Sequence, residues 1–296
     1  MPVARTRLLE VAYLESHPAS GGRDAPTVIC VHGWPDDALT WHRVAPRLNE
    51  AGFRVVAPYL RGCGPTRFLD PATPRSGQLV ALGQDLVEFA AALGLERYAV
   101  VGHDWGARAA YIAAALEPAK ITHCVGLSVG YGTNSPAQAL SLQQVQNYWY
   151  HWLMATERGR KIVREDRRRF TRHIWDIWLP FWKPSEEEFA ATAQSFDHPD
   201  WADIVLHSYT VRWGHAAPYP MYAELEARFD PAPQLSVPTL TLHGADDPVN
   251  APASSEGKEG FFTGPYRREL IPACGHFPQR EHPDEVARRI SAWLRG

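Results

Sequence analysis

Short, nearly continuous apolar runs recur along the chain: TVICVHG (27–33), RVVAPYL (54–60), YAVVGHD (98–104), THCVGLSV (122–129), PTLTLHG (238–244) and RRELIPACGH (267–276). Runs this short and this uniformly apolar fit strands covered on both faces, as in a parallel sheet. Helical patterns lie between them, SGQLVALGQDLVEFAAALGL (76–95) and ARAAYIAAALEP (107–118), and an amphipathic helix, HPDEVARRISAWLRG (282–296), follows the last. This alternation predicts an α/β fold with a mostly parallel central sheet flanked by helices. It stops near Gly132 and resumes near Pro231, and the stretch between reads as helical and rich in Trp, Tyr and Arg. Strand patterns on both sides predict an inserted helical cap over 132–230, on a core formed by 1–131 and 231–296.

Composition narrows the class. The 296 residues are 45% hydrophobic and 21% charged, which suits one large globular domain with an insertion. A formal charge of −3 gives no reason to expect nucleic acid or an anionic membrane as partner. The stretch MPVARTRLLEVAYLESH has no apolar signal core, and no run of 18 apolar residues occurs. The four cysteines, Cys30, Cys63, Cys124 and Cys274, are scattered, so neither a disulfide framework nor a zinc knuckle is expected, and the reading is a reduced, cytoplasmic protein. Cys30 and Cys124 lie in apolar runs and read as core residues. The basic run RGRKIVREDRRRFTRH (158–173) contains Glu165 and Asp166 and reads as a solvated helix face; attraction of anionic substrates or a homodimer contact is the alternative.

The chemistry concentrates at Gly102-His103-Asp104-Trp105-Gly106, between an apolar strand and an alanine-rich helix. Small residues two before and two after the centre relieve crowding in a sharp strand-to-helix turn, which is the context of a nucleophile elbow. A lone Asp there would read as a helix N-cap. Within this frame it reads as a carboxylate nucleophile, ionised at the positive end of the helix. Such a nucleophile can displace at an sp³ carbon and leave an alkyl ester that water must hydrolyse. The second step needs a base and an acid to orient it. LHGADDPVN offers Asp246 and Asp247 after a late strand, with Asp247 preferred as the orienting acid, and ACGHFPQREHP offers His276 as the base. An oxyanion hole would draw N–H groups from Trp105 and from Trp34, which follows His32-Gly33 at the end of the first core strand. No glycine-rich dinucleotide motif and no metal-ligand cluster appear in the sequence (GYG at 130–132 is too short), and the mechanism requires no cofactor.

HGWP, GHDWGA, GADD and CGHF together resemble the aspartate-nucleophile branch of the α/β-hydrolase superfamily along essentially the whole chain. That branch holds epoxide hydrolases, haloalkane dehalogenases and haloacid dehalogenases. The resemblance implies the fold, the cap and the two-step ester mechanism, but their motifs overlap and the substrate stays open. Epoxide hydrolases protonate the epoxide oxygen with two cap tyrosines. Tyr209, in HSYTVRWG, stands where the second is expected, and NYWYHWLMATERG offers Tyr148 and Tyr150 for the first. Dehalogenases instead cradle a halide. Trp105, His151, Trp152 and Tyr209 resemble such a cradle, and Arg108 resembles a carboxylate-binding arginine of the haloacid enzymes. Trp105 replaces the second such arginine, and Trp34 the Asn of many haloalkane enzymes. The substrate-binding set expected from the sequence is His151, Trp152, Arg108, His32 and Trp105. The leading expectation is opening of a small apolar epoxide to a diol, with dehalogenation by the same Asp104, His276 and Asp247 as the alternative. A non-catalytic hydrolase-fold binding protein is the least favoured reading.

Overall fold

A computed structural model describes residues 1–133 and 138–296; residues 134–137, within the expected cap, lie outside the described residues. Nine strands occur among the described residues: β1 (Val3–Arg5), β2 (Leu9–Ser16), β3 (Thr27–Val31), β4 (Arg54–Pro58), β5 (Arg67–Phe68), β6 (Tyr98–His103), β7 (Ile121–Leu127), β8 (Thr239–Gly244) and β9 (Tyr266–Ile271). The sheet runs β1-β2-β4-β3-β6-β7-β8-β9, with β5 paired to β2. From β4 to β9 all pairings are parallel, while β1, β2 and β5 add an antiparallel edge. The runs anticipate the positions of the parallel strands, but β9 (YRRELI) is an edge strand, exposed or half-covered except at Ile271, and not covered on both faces as expected. The antiparallel edge was not read from the sequence: LEVAYLES mixes polar and apolar residues, and part of β2 is only half-covered.

Strand pleating builds two cores. In β3, Ile29 and Val31 face one apolar cluster and Val28 and Cys30 the other. Leu82, Leu86 and Phe89 of the helix Leu79–Ala92 join the first cluster, together with the alanines of Trp105–Leu116. Leu48 of Ala45–Glu50 and Val286 and Ile290 of Pro283–Leu294 join the second. Gly83 sets the approach of the first helix pair: a Cβ there would lie 2.2 Å from Ile112 Cγ2.

Between β7 and β8 the described residues form helices: Leu142–Asn147, Trp149–Ala155, Glu157–Glu165, Arg167–Trp178, Glu186–Ala193, Trp201–Val211 and Ala223–Ala227. The basic run spans two of them, and its charges meet acids: Arg164 with Asp203, Arg168 with Asp197, Arg169 with Asp166, and Arg172 with Asp176 and Glu186. These pairs are largely exposed and each is worth at most about 1 kcal/mol, so the run behaves as a solvated face.

The helical segment is fixed to the core by buried polar contacts. Arg280 donates to Asp36 Oδ2 at 2.8 Å and to Oδ1 at 2.5 Å, to Glu188 at 3.0 Å and to Thr192 at 3.1 Å. Ser195 Oγ and Asp37 Oδ2 are 2.7 Å apart. Burial, reinforced by the neighbouring Asp36 charge, pushes the Asp37 carboxyl up to about 7. All four cysteines are buried free thiols.

Candidate active site

The parallel strands deliver their following loops to one edge of the sheet, where ligand-binding crevices of open α/β sheets form. Asp104 follows β6 with φ 49° and ψ −111°. This strained backbone costs on the order of 1–3 kcal/mol and persists because the neighbours leave no alternative. A Cβ on Gly33 would lie 2.5 Å from Asp104 Cβ, and one on Gly106 would lie 2.2 Å from the Val31 carbonyl oxygen. The glycines around the elbow are therefore set by close approach between the β3 and β6 ends.

Asp104 Oδ1 accepts a hydrogen bond from the Trp34 N–H at 3.0 Å. Oδ2 lies 3.9 Å from His276 Nε2, too long for direct bonding. The far side of the imidazole is held tightly: His276 Nδ1 donates to Asp247 Oδ2 at 2.9 Å. The Asp247 carboxylate is saturated. His243 Nε2 approaches the same oxygen at 3.2 Å, and the Val249 and Asn250 N–H groups donate to Oδ1 at 2.8 and 3.1 Å. Burial opposes its charge, but His276 and His243 outweigh burial and hold its pKa well below the carboxylate range. Burial likewise opposes charge on His276; Asp247, by charge and hydrogen bond, and the charge of Asp104 overcome it and raise the imidazole above its usual value. Asp246, next in sequence, is exposed.

The His276 backbone is also fixed. Its carbonyl accepts from Ser128 Oγ at 2.9 Å and lies 2.7 Å from His103 Nε2. Its N–H donates to the Trp178 carbonyl at 3.1 Å. His103, His243, Ser128 and Asn250 were not singled out from the sequence. His103 and His243 do carry a signal, polar rings inside apolar strand runs, each placed beside a proposed catalytic residue.

The helical side is aromatic. Tyr150 stacks on Trp34 at 5.5 Å and 14°, and Tyr209 meets Trp34 edge-on at 5.0 Å. The two tyrosine rings lie 5.3 Å apart. Trp105 Nε1 donates to Tyr209 Oη at 3.1 Å. Burial pushes both phenols well above their usual value, and the Asp104 charge pushes the same way. Trp178 packs edge-on against His276 at 4.9 Å. Trp175 donates to the Pro35 carbonyl at 2.7 Å, and Trp182 lies beneath Arg43.

Other expected residues are engaged elsewhere. Tyr148 Oη donates to Asn250 Oδ1 at 2.6 Å, which ties it to the loop after β8 while Tyr150 covers Trp34. His32 has both ring nitrogens on backbone, Nδ1 at 2.9 Å from the Gly33 carbonyl and Nε2 accepting from Leu60 N–H at 3.0 Å; it shapes the Trp34 turn and has no ring nitrogen to spare for substrate. Of the cradle expected for a halide, Trp152 Nε1 instead donates to the Val145 carbonyl at 2.8 Å, and Trp105 Nε1 donates to Tyr209. Arg108 Nη1 donates to the Thr133 carbonyl and hydroxyl, both at 3.0 Å. His151 lies 4.5 Å from Tyr209, and its Nδ1 accepts from Trp213 Nε1 at 2.9 Å. Burial and the Arg212 and Arg108 charges hold its pKa well below the usual value, so the ring is neutral.

The elbow, the strand-end carboxylate and the late histidine, on this sheet order, define an α/β-hydrolase. The α/beta hydrolase fold family model matches residues 26–283, and the chain belongs to that family. Within it the chain is an epoxide hydrolase-like enzyme. Epoxide hydrolase A of Mycobacterium tuberculosis is 28% identical over 307 residues, 94% of this chain and 92% of that protein. A solved structure from Klebsiella pneumoniae, provisionally described as an epoxide hydrolase, shares 36% identity and a TM-score of 0.93, over 100% of this chain and 97% of that one. Epoxide Hydrolase A from Mycobacterium thermoresistibile, at 23% identity and a TM-score of 0.76, covers 100% of this chain and 98% of that one and shares the fold.

Proposed function

We propose that this chain opens a small apolar epoxide to a vicinal diol through an ester on Asp104. Oδ1 is engaged by Trp34 N–H, so Oδ2 attacks a ring carbon. The C–O bond breaks, and the ring oxygen takes a proton from Tyr209 or Tyr150. Ester formation removes the Asp104 charge and with it one cause of the raised His276 pKa. The imidazole, held by Asp247, then takes a proton from water as the hydroxide attacks the ester carbonyl. The developing oxyanion forms on Oδ1, beside the Trp34 N–H and, in this reading, the Trp105 N–H. Collapse releases the diol.

The observation that carries the reading is the Trp105–Tyr209 hydrogen bond. An indole N–H only donates, so the phenol oxygen accepts and its own proton is directed away from the indole. The group that would hold a halide is thus occupied in supporting an acid. We further propose a cytoplasmic setting, with the helices between β7 and β8 forming the cap of the site.

Epichlorohydrin carries both an epoxide and a carbon–chlorine bond and tests this directly. Wild-type protein is expected to give 3-chloro-1,2-propanediol without early chloride, and Asp104→Asn neither product. Early chloride with glycidol from the wild type alone would overturn epoxide opening in favour of dehalogenation.

A further inference from the structure

The two tyrosines that flank Asp104 are not equivalent. Tyr209 lies on the helix Trp201–Val211, and Arg212 follows three residues later on the same face. The Arg212 guanidinium carbon is 4.9 Å from the Tyr209 ring centroid, and its Nη2 donates to Ser208 Oγ at 3.1 Å. Only 8% of Arg212 is exposed, so its charge acts in a poorly screened setting. On the other side, Trp105 Nε1 donates to the phenol oxygen. Trp105 is also the residue directly after the nucleophile, so the turn that aims Asp104 places this donor too. Tyr150, in contrast, is packed against Trp34, Trp178, Tyr209 and His151.

We infer that Trp105 and Arg212 are positioning residues that make Tyr209 the proton-giving acid, by sharing the negative charge left on its oxygen, while Tyr150 orients the epoxide oxygen by hydrogen bonding. This rests on the ring-opening role proposed above. As Asp104 attacks, the C–O bonding pair moves to the ring oxygen, which takes the Tyr209 proton and leaves a phenolate. The indole N–H and the guanidinium are already in place around that oxygen and ring, so little reorganisation is needed. In the second step His276 takes one proton from water, the other passes to the departing alkoxide, and the imidazolium proton restores Tyr209. Epoxide and water are consumed, diol is formed, and the protein returns to its starting state. The electrostatics agree. Burial raises both phenols, but Arg212, the Trp105 hydrogen bond and Arg108 all pull Tyr209 back, whereas Arg212 is the cation that relieves Tyr150.

The test is rapid-quench, single-turnover kinetics of the full chain with styrene oxide, following alkylated Asp104 by mass spectrometry. Arg212→Met should slow ester formation about tenfold or more and leave ester hydrolysis within about twofold, with Arg212→Lys recovering most of the loss. Trp105→Phe, which keeps an aromatic ring and removes the N–H, should slow the same step. In a Tyr209→Phe background, Arg212→Met should add less than about twofold, because no phenolate remains to stabilise. If Arg212→Met is equally damaging without the Tyr209 hydroxyl, or slows hydrolysis as much as formation, the assignment is overturned. If neither Tyr209→Phe nor Tyr150→Phe slows ester formation, the acid role itself fails and the inference falls with it.

Discussion

Asp247 and Tyr150 stand on opposite walls of one site, and their surroundings share little. Asp247 is fixed by two imidazoles and two backbone N–H groups, supplied by strand β8 (His243) and by the loops at the sheet edge. Tyr150 is fixed by rings, among them Trp34 at 5.5 Å and Trp178 at 5.1 Å. Hydrogen bonds to a charged carboxylate are short and directional, and are worth about 1.5–3 kcal/mol each. Ring contacts contribute about 0.5–1.5 kcal/mol beyond burial and tolerate sliding. In the proposed reaction the sheet wall, held by directional bonds, carries ester formation and hydrolysis, and the aromatic wall activates the electrophile.

Changes to the sheet wall should have the largest effects and should separate the two steps. His276→Gln is expected to leave ester formation within a few-fold and to slow ester hydrolysis by about 10³-fold, so that alkylated Asp104 accumulates in a quenched sample. Equal slowing of both steps would make His276 part of the alkylation machinery and blur the division between the walls.

The next effect is a displacement in pH. His276 is raised above its usual value partly by Asp104, and the ester removes that charge. Hydrolysis needs the neutral imidazole, so its rate falls as pH is lowered through the pKa of the alkylated protein. That acid limb should lie at lower pH than the titration of His276 in the free protein, compared by single-turnover kinetics and NMR. A limb at higher pH would contradict the sign.

On the aromatic wall, Tyr150→Phe should slow ester formation about ten- to a hundredfold. Tyr148→Phe should leave that step nearly unchanged and cost about 1 kcal/mol of stability, the loss of its bond to Asn250, read by denaturant unfolding. The reverse ranking would move the orienting hydroxyl to Tyr148.

The smallest effect concerns the contact between the walls. Asp37, at about 7 in the fold against an ordinary 3.8, keeps its proton longer than the unfolded chain does. Stability therefore declines as pH rises from about 4 to 7, and the penalty persists above that range. Asp37→Asn keeps an amide able to bond Ser195 and removes the penalty. It should raise the melting temperature at pH 8 by roughly 2–4 °C and have no such benefit near pH 4.

The sheet wall was largely legible in the sequence, because its residues sit at fixed offsets from apolar strands: Asp104 follows VVGH, and Asp247 lies three residues beyond Gly244. The supporting His103 and His243 were not read, since a polar ring in a buried strand gives no direction until the strands are paired. The aromatic wall was legible only as an inventory. Tyr148, Tyr150, His151 and Trp152 are near neighbours along the chain, and which of them faces Trp34 depends on where the helix Trp149–Ala155 begins and how it is rotated. The antiparallel edge was lost for a related reason, since a half-covered strand lacks the uniform apolar run that marks the central strands β3, β4 and β6.

In the proposed reaction the new oxygen of the product comes from Asp104, and water then refills the Asp104 carboxylate. Single-turnover reaction in H₂¹⁸O, with mass analysis of both the diol and the Asp104 peptide, tests it. An unlabelled diol in the first turnover and ¹⁸O in the Asp104 carboxylate are expected. A labelled diol with an unlabelled Asp104 would mean direct attack by water and would contradict the ester mechanism.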